Sequence, residues 1–597
     1  MTAKPTTPAL PAGVSDPTLF MKNMSEVMQQ AANIMASQAN EQRVAELTAD
    51  FPVLTSTFQK VAQSYLTDPE KLINAQVKLF EQYSTLWQDS VRQMMGEAPA
   101  RPKETTPDRR FRDPAWEENQ VFNFLKQAYL ISTRWAADLV AQNDKIDETT
   151  KQRAAFLVEQ IANALSPANF AITNPEVLRV TLETNGQNLV DGMRQLAEDF
   201  AAGRGELRIR QTDLNAFEIG RNIATTPGKV VYENDIIQLI QYSPTTETVY
   251  ARPLVIIPPW INKYYILDLS AEKSFIRWAV GQGLTVFVVS WVNPDERLAS
   301  KTFADYMREG VLAAVQKAME ATGEPDVNAI GYCVGGTLLA STLAYMAAQG
   351  DKRINAVTFF ATQVDFEKAG DLLVFIDEEQ VAGLERKMAD KGFLDGSKMA
   401  NTFNMLRSND LIWSYVVNNY LLGRRPAAFD LLYWNSDATR MPAALHSYYL
   451  RECYLYNNLA KGRMVLDGVQ LDLSKVTVPC YNLVTREDHI APLPSAFRVG
   501  KHLGGKTRLV VAGSGHIAGV INPPQAQKYA YWTNDEDAPD PESWLETATE
   551  HKGSWWPDWF NWIAPKSGEK VPARIPGQGR LKAIEDAPGR YVRVRSD

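Results

Sequence analysis

From about residue 229 onward, short runs of continuously apolar residues alternate with helical segments. Helical stretches such as 274–283 and 337–350 lie between several of these runs. The runs rich in Val, Ile, Tyr and Phe are 230–242, 253–259, 285–291, 327–332, 355–362, 478–485 and 507–513. Strands that are apolar along their whole length and separated by helices are typical of a parallel sheet covered on both faces. The pattern therefore predicts an α/β domain over residues 229–597.

The stretch 363–442 interrupts this alternation. It is helical or irregular, and it lies between two predicted strands. Insertions near the C-terminal ends of parallel strands are where caps and lids are found. We therefore expect 363–442 to form a cap or lid.

The residues before 229 are helical in character. Residues 18–37 carry apolar side chains at three- and four-residue spacing, which is one face of a helix. A second helical stretch covers 58–95, and Pro69 is expected to start a new helix within it. Residues 96–114 are rich in proline and in charged residues and show no hydrophobic periodicity, so they form a predicted linker. The predicted order is a helical, partly flexible extension over 1–95, a linker over 96–114, a helical domain over 115–228 and the α/β domain over 229–597.

Composition narrows the function. The chain has 597 residues and a formal net charge of −8. With no basic excess to neutralise phosphates, we expect no nucleic-acid partner. No apolar run approaches the ~18 residues that span a bilayer, and the first residues lack the apolar core of a secretory signal. Three cysteines are too few for a disulfide framework, so we predict a cytoplasmic protein with no transmembrane segment.

The segment Val327–Gly336, VNAIGYCVGG, places a cysteine between a predicted strand and a predicted helix. The string Gly331-x-Cys333-x-Gly335 in this context is typical of a nucleophile elbow, here with Cys where Ser is usual. Side chains at either glycine would clash in so tight a turn, and the sulfur would lie at a helix N-terminus, which favours negative charge. Cys333 is therefore the candidate nucleophile, with the Val334 amide as one oxyanion donor. The alternative is a buried structural cysteine.

Asp488 and His516 are the candidate acid and base. In α/β-hydrolases the acid and then the base follow the nucleophile along the chain. Each of the two residues lies just beyond the C-terminal end of a predicted strand, where this fold gathers its active site. A turn-capping role is the alternative for Asp488. His489 competes as the base, but adjacent side chains usually diverge, so we expect it to shape the pocket. The other histidines are His446 in a helical run, His502 at a helix end and His551 in a charged loop.

The second oxyanion donor is expected from the loop PPWINKYYILDL (258–269), which follows the strand at 253–259. Its candidates are the backbone amides of Trp260, Ile261 and Asn262, and the sequence does not choose among them. Ordinary turn chemistry is the alternative reading of this loop.

A cysteine nucleophile favours a substrate that is already a thioester, because acyl transfer between two thiols is nearly thermoneutral. His516 would take the thiol proton, and Cys333 would attack the carbonyl carbon. An alcohol acceptor then needs a base, which is either Asp488 itself or His516 oriented by Asp488. Water must be excluded from the acyl-enzyme, which the predicted lid would do. This chemistry needs no metal and no cofactor.

These residues, together with motifs spread over about 105–565, resemble the class I polyhydroxyalkanoate synthases. The matching segments are RDPAWEENQVFNFLKQAYL (112–130), PPWINKYYILDL (258–269), SWVNPDE (290–296), GYCVGGTL (331–338), YWNSDATRMP (433–442), TREDHIAP (485–492), GSGHIAGVINPP (513–524) and GSWWPDW (553–559). One position departs from the form expected of the family, since Trp260 stands where a cysteine is expected. The departure argues against a second cysteine in the site and affects the width of the pocket.

The resemblance implies an α/β-hydrolase catalytic domain with an inserted cap, preceded by a mainly helical N-terminal domain. It implies that (R)-3-hydroxyacyl-CoA, in particular 3-hydroxybutyryl-CoA, is converted to polyester with release of CoA. It assigns the nucleophile to Cys333, the acid to Asp488 and the base to His516, and it places His489 and Trp434 near the site or a dimer contact. The expected partners are the growing polyester chain, the surface of cytoplasmic polymer granules, phasin-type granule proteins and a second copy of the chain.

Two other functions remain as alternatives. A thioesterase or polyester depolymerase of the same fold would use water as the acyl acceptor. A non-catalytic granule-associated protein would need only the amphipathic N-terminal helices and the aromatic C-terminal part, but it would not need a Cys–Asp–His set in this order.

The C-terminal part has two further features. Six of the 14 tryptophans lie between 532 and 562, and they form either an apolar interface or a packing cluster. The last residues, 582–597, are charged, and we expect a solvated extension there.

Overall fold

The computed structural model describes residues 14–38, 51–96 and 108–596, without the side chains of 51–53. Most of the predicted linker therefore lies outside the described residues. The described chain forms two compact units. One takes its residues from 1–213 and 404–427, and the other from 214–403 and 428–597. The first boundary lies before the predicted one, and 404–427, which the sequence places in the cap, belongs to the first unit.

The first unit is helical. Its helices are α1 (Pro17–Gln38), α2 (Phe51–Leu66), α3 (Pro69–Met94), α4 (Ala115–Glu118), α5 (Gln120–Ala141), α6 (Glu148–Ala164), α7 (Pro175–Glu183) and α8 (Gln187–Ala202). Side-chain caps mark several starts; Asn119, for example, accepts hydrogen bonds from the second and third amides of α5. The segment 404–427 joins this unit through polar contacts, since Asn188 Nδ2 donates to Leu421 O at 2.7 Å and Tyr420 Oη to Asp199 Oδ2 at 2.7 Å.

The second unit is built on one sheet of eleven strands. The strands of this unit are β1 (Gly228–Glu233), β2 (Ile237–Tyr242), β3 (Thr248–Tyr250), β4 (Leu254–Ile257), β5 (Val286–Trp291), β6 (Val327–Tyr332), β7 (Ile354–Phe360), β8 (Phe393–Leu394), β9 (Met441–Pro442), β10 (Val465–Leu466), β11 (Val469–Gln470), β12 (Cys480–Thr485), β13 (Thr507–Ala512), β14 (Ala530–Thr533), β15 (Thr549–Lys552), β16 (Lys570–Pro572) and β17 (Glu585–Asp586).

The order of the main sheet is β15-β14-β13-β12-β7-β6-β4-β5-β2-β1-β17. The six central strands from β13 to β5 are parallel, and the pairings outside them are antiparallel. Strands β4, β5, β6 and β12 are buried at every residue, and buried apolar clusters cover both faces of the sheet. This is the predicted α/β-hydrolase architecture, and the parallel centre brings the C-terminal ends of β6, β12 and β13 to one edge.

Helices follow most of the central strands, and two more follow β14 and β15. They are α9 (Phe275–Gly281), α10 (Phe303–Asp305), α11 (Ala313–Thr322), α12 (Val334–Gln349), α13 (Glu378–Lys391), α14 (Gly396–Leu406), α15 (Asp430–Ser436), α16 (Ala443–Tyr449), α17 (Leu493–Ala496), α18 (Val499–His502), α19 (Pro541–Thr547) and α20 (Trp556–Ile563). The chain between β7 and β12 contains the predicted cap and extends beyond it at both ends. In the described part of the chain, no helix combines the length and the apolar character needed to cross a membrane.

Two predictions change, and the structure favours one of the two alternatives for the C-terminal tryptophans. The run 230–242 is a hairpin of two strands, with Asn234 N donating to Ile237 O at the turn. The last residues are not a solvated extension, because β17 pairs with β1 and Val592 is 1% exposed. The C-terminal tryptophans are mainly a packing cluster, since Trp544, Trp555, Trp556 and Trp559 are all buried.

Candidate active site

Cys333 lies at a strained turn between β6 and α12. Its φ of 51° and ψ of −126° belong to a region that residues with side chains rarely adopt. The two flanking glycines make the turn possible. A Cβ on Gly331 would lie 2.5 Å from Gly336 Cα, and one on Gly335 would lie 2.5 Å from the carbonyl oxygens of Ile257 and Pro258. The sequence folds locally into an elbow because no larger residue fits at these positions.

The three cysteines differ in their surroundings. Cys333 is half-buried, whereas Cys453 and Cys480 are buried. Burial raises the pKa of both buried thiols, with a smaller contribution from Glu452 at Cys453. Cys333 is thus the one thiol of the chain that combines partial exposure with a helix N-terminus.

Asp488 and His516 are joined by a buried contact at the C-terminal ends of β12 and β13. His516 Nδ1 lies 2.8 Å from Asp488 Oδ2. The same oxygen accepts from Thr485 Oγ1 at 2.7 Å. Asp488 Oδ1 accepts from the amides of Ile490 and Ala491 at 2.9 and 2.8 Å. The carboxylate is thus fixed from both sides, and it orients the imidazole.

The charges of this cluster favour a protonated imidazole. Burial lowers the pKa of His516, but the charge of Asp488 and the hydrogen bonds with Asp488 and Cys333 outweigh it, and the pKa is raised to about 10. Burial raises the pKa of Asp488, but His516, Thr485 and the Ala491 amide outweigh it and leave the pKa below its usual value. A strongly basic imidazole beside a cysteine, oriented by a buried carboxylate, is the arrangement of a cysteine nucleophile paired with its base.

Hydrogen bonds from three buried aromatic side chains hold the backbone of the loop that carries His516. Tyr332 Oη donates to the backbone carbonyl of His516 at 2.9 Å. Trp555 Nε1 donates to Gly519 O at 2.9 Å, and Trp556 Nε1 donates to Val520 O at 3.0 Å. The tryptophan cluster therefore fixes the backbone after β13, which the sequence analysis did not anticipate.

The other histidines lie outside this cluster. His446 is buried in α16, where burial lowers its pKa to about 4. His502 Nε2 lies 3.1 Å from Asp365 Oδ2, and His551 Nε2 lies 2.8 Å from Thr533 Oγ1. His489 is half-buried beside Asp488, but the Asp488 carboxylate contacts His516 instead.

The remaining predicted positions lie in three places. Val334 is the first residue of α12, where a backbone amide has no acceptor within the helix. Ile261 and Asn262 are buried in the loop after β4. Trp434 is buried in α15, and its Nε1 donates to Lys263 O at 2.7 Å. Trp434 therefore holds the backbone of the loop after β4 through this hydrogen bond.

Sequence reasoning did not find the residues that hold the acid and the base. Thr485 carries a weak signal, because it is a polar residue at the end of an apolar strand three positions before Asp488. Tyr332 carries none, since a tyrosine in a buried strand is typical of an apolar core. Its hydrogen bond to His516 depends on a contact between residues far apart in the sequence.

Comparison with known proteins shows matches to two family models and to several relatives. Residues 107–279 match the family model "Poly-beta-hydroxybutyrate polymerase (PhaC) N-terminus", and 260–523 match the model "alpha/beta hydrolase fold". The poly(3-hydroxyalkanoate) polymerase of Methylorubrum extorquens is 56% identical over 547 residues, which are 91% of this chain and 90% of the relative.

Two further relatives are named poly(3-hydroxyalkanoate) polymerase subunit PhaC. The protein of Rhizobium meliloti is 52% identical, with 98% of this chain and 96% of the relative covered. That of Cupriavidus necator is 44% identical, with 88% and 89% covered. This degree of identity over nearly the whole length shows that the chain belongs to the poly(3-hydroxyalkanoate) polymerase family.

Proposed function

We propose that this chain is a polymerising acyltransferase that forms polyhydroxyalkanoate from (R)-3-hydroxyacyl-CoA through a covalent thioester on Cys333. The observation that carries the proposal is a half-buried cysteine at a nucleophile elbow, on the same sheet edge as a buried Asp488–His516 pair. Membership of the polymerase family supports the reaction class, and the resemblance of its motifs to class I enzymes favours 3-hydroxybutyryl-CoA.

In the first half-reaction, His516 holds the proton that comes from the Cys333 thiol, and the sulfur attacks the thioester carbonyl. The carbonyl oxygen becomes an oxyanion, which the Val334 amide and the loop after β4 would stabilise. The carbon–sulfur bond to CoA then breaks. The CoA sulfur leaves with the proton from His516, and the acyl group stays on Cys333.

In the second half-reaction, the hydroxyl group of a growing chain attacks the acyl group on Cys333. A base must take the hydroxyl proton as the new ester bond forms. Both oxygens of Asp488 already accept hydrogen bonds, and its carboxylate is buried behind the imidazole. This favours His516 as the base, with Asp488 orienting it. The proton passes to the Cys333 sulfur as that thioester breaks.

The setting of the reaction follows from the resemblance. We expect a cytoplasmic enzyme on the surface of polymer granules, in company with phasin-type proteins, and a homodimer. The predicted cap would limit the access of water to the acyl-enzyme.

One assay tests the reaction. The chain is incubated with 3-hydroxybutyryl-CoA, and free CoA thiol and insoluble polyester are measured together. We expect both products from the unaltered chain and neither product from Cys333→Ala. Cys453→Ala removes a buried thiol, and we expect it to keep the turnover per folded molecule. CoA without polymer would indicate a thioesterase or depolymerase. Absence of both products from the unaltered chain would indicate a non-catalytic granule protein.

A further inference from the structure

The loop after β4 is attached to the segment 434–439 through its carbonyl groups. Thr439 N donates to Ile261 O at 3.0 Å, and Thr439 Oγ1 donates to Trp260 O. Trp434 Nε1 donates to Lys263 O at 2.7 Å. Three of the four carbonyls of residues 260–263 are therefore held by one neighbouring stretch of chain.

These contacts set the direction of the amides in the loop. In a planar trans peptide the C=O and the following N–H point in opposite directions. Since Thr439 holds the carbonyls of Trp260 and Ile261, the amides of Ile261 and Asn262 point away from Thr439. Among the residues that the structure describes, neither amide donates a backbone hydrogen bond. Two buried donors without a backbone acceptor match the requirement of an oxyanion site.

Asp437 fixes the same loop through side chains. Its Oδ1 lies 2.8 Å from Lys263 Nζ, and the two side chains are 0% and 2% exposed. Its Oδ2 accepts from Tyr265 Oη at 2.9 Å. An ion pair this deeply buried is costly to desolvate and is weak evidence of added stability. It does fix the distance between the loop and segment 434–439, because neither charge can move into water.

We propose that Asp437 and Thr439 are positioning residues, which aim the amides of Ile261 and Asn262 at the oxyanion formed on the thioester substrate. The inference rests on the proposed function and selects two of the three amides that the sequence left open. Asp437 acts through Lys263 and Tyr265, and Thr439 acts through the carbonyls of the loop. Neither residue contacts the reacting atoms.

Two reactions of Cys333 separate positioning from a general structural role. Acylation by 3-hydroxybutyryl-CoA passes through an oxyanion. Alkylation by iodoacetamide does not, since the sulfur displaces iodide from carbon directly. In Asp437→Asn we expect the rate of CoA release in the first turnover to fall at least ~10-fold. The rate of alkylation should stay within ~2-fold, and KM should change less than kcat. A purely structural role would lower both rates together, and that result would overturn the proposal.

Thr439→Val covers the case in which Asp437→Asn fails to fold. The variant deletes one hydroxyl and keeps the shape of the side chain. We expect the rate of acylation to fall selectively, by about 3- to 10-fold, because the loop amide is no longer held in the right direction. Acylation at the unaltered rate in this folded variant would contradict the proposal.

Asp430→Asn is the matched control. Asp430 pairs with Lys273 at 2.7 Å, but this pair is partly exposed and touches no carbonyl of residues 260–263. Both rates should stay within ~2-fold of the unaltered chain. If the unaltered chain releases no CoA, the proposed function fails. If it does and both test variants acylate normally, only the positioning role fails.

Discussion

Tyr332 donates a 2.9 Å hydrogen bond from its hydroxyl to the backbone carbonyl of His516. Tyr332 is the last residue of β6 and directly precedes the candidate nucleophile, so the strand that presents Cys333 also fixes the backbone of the base. The two side chains also pack as rings, with centroids 5.7 Å apart. Any shift of β6 would therefore be transmitted to both reacting groups.

Tyr332→Phe tests this connection. It removes the hydroxyl and keeps the ring, so the His516 carbonyl loses its buried donor. We expect a loss of about 1–2 kcal/mol in the free energy of unfolding and a several-fold lower kcat for CoA release. Urea unfolding and steady-state kinetics measure the two effects. A variant with an unaltered kcat would contradict a positioning role for Tyr332.

Asp488→Asn should reduce CoA release by about 10²- to 10⁴-fold, because an amide can neither stabilise the imidazolium nor hold the same ring tautomer. His502→Gln is the control, since that histidine contacts Asp365 and lies outside the cluster. We expect the control to keep its kcat within about twofold. Equal losses in both variants would show that the Asp488 effect is not specific to the site.

The raised pKa of His516 predicts how stability depends on pH. Its folded-state pKa, about 10, lies above the ordinary value of 6.5, so the folded state binds the proton more tightly. The stabilisation is complete below about pH 6.5 and is lost as the pH rises toward 10. The difference in unfolding free energy between the unaltered chain and His516→Gln should therefore shrink over that window. A difference that grows with pH would have the wrong sign.

Gly335→Ala tests the close approach at the elbow. The added methyl group would lie 2.5 Å from two backbone carbonyl oxygens, so we expect a loss of about 1–3 kcal/mol in stability together with most of the activity. Gly281→Ala is the matched control, because a Cβ there meets nothing within 4 Å at the end of helix α9. We expect that variant to be as stable as the unaltered chain or slightly more stable. Thermal unfolding and CoA release report both variants.

The central sheet was predictable from the sequence, because its parallel strands are buried on both faces and read as continuous apolar runs. Strands β14 and β15 were not predicted, because their residues are half-buried or exposed and form no continuous apolar run. The last residues looked solvated for the same reason, although Val592 inserts into the core. A local pattern does not show which polar strand will pair with an edge.

The candidate site was predictable from the order of residues along the chain and from the positions of strand ends, which together point to Cys333, Asp488 and His516. The support around it was not. Asp437 and Lys263 are charged residues in loops, and charged residues are usually solvated. Only the tertiary structure brings them together as a buried pair.

The first compact unit is discontinuous, because it is completed by 404–427. During synthesis on the ribosome, helices α6, α7 and α8 emerge well before the segment that they contact. The first unit therefore cannot finish folding as an independent domain while the second is still being made. A chain cut after residue 213 would expose Asn188 and Asp199 without the partners that 404–427 supplies, so shortened forms of this protein should retain the 404–427 segment.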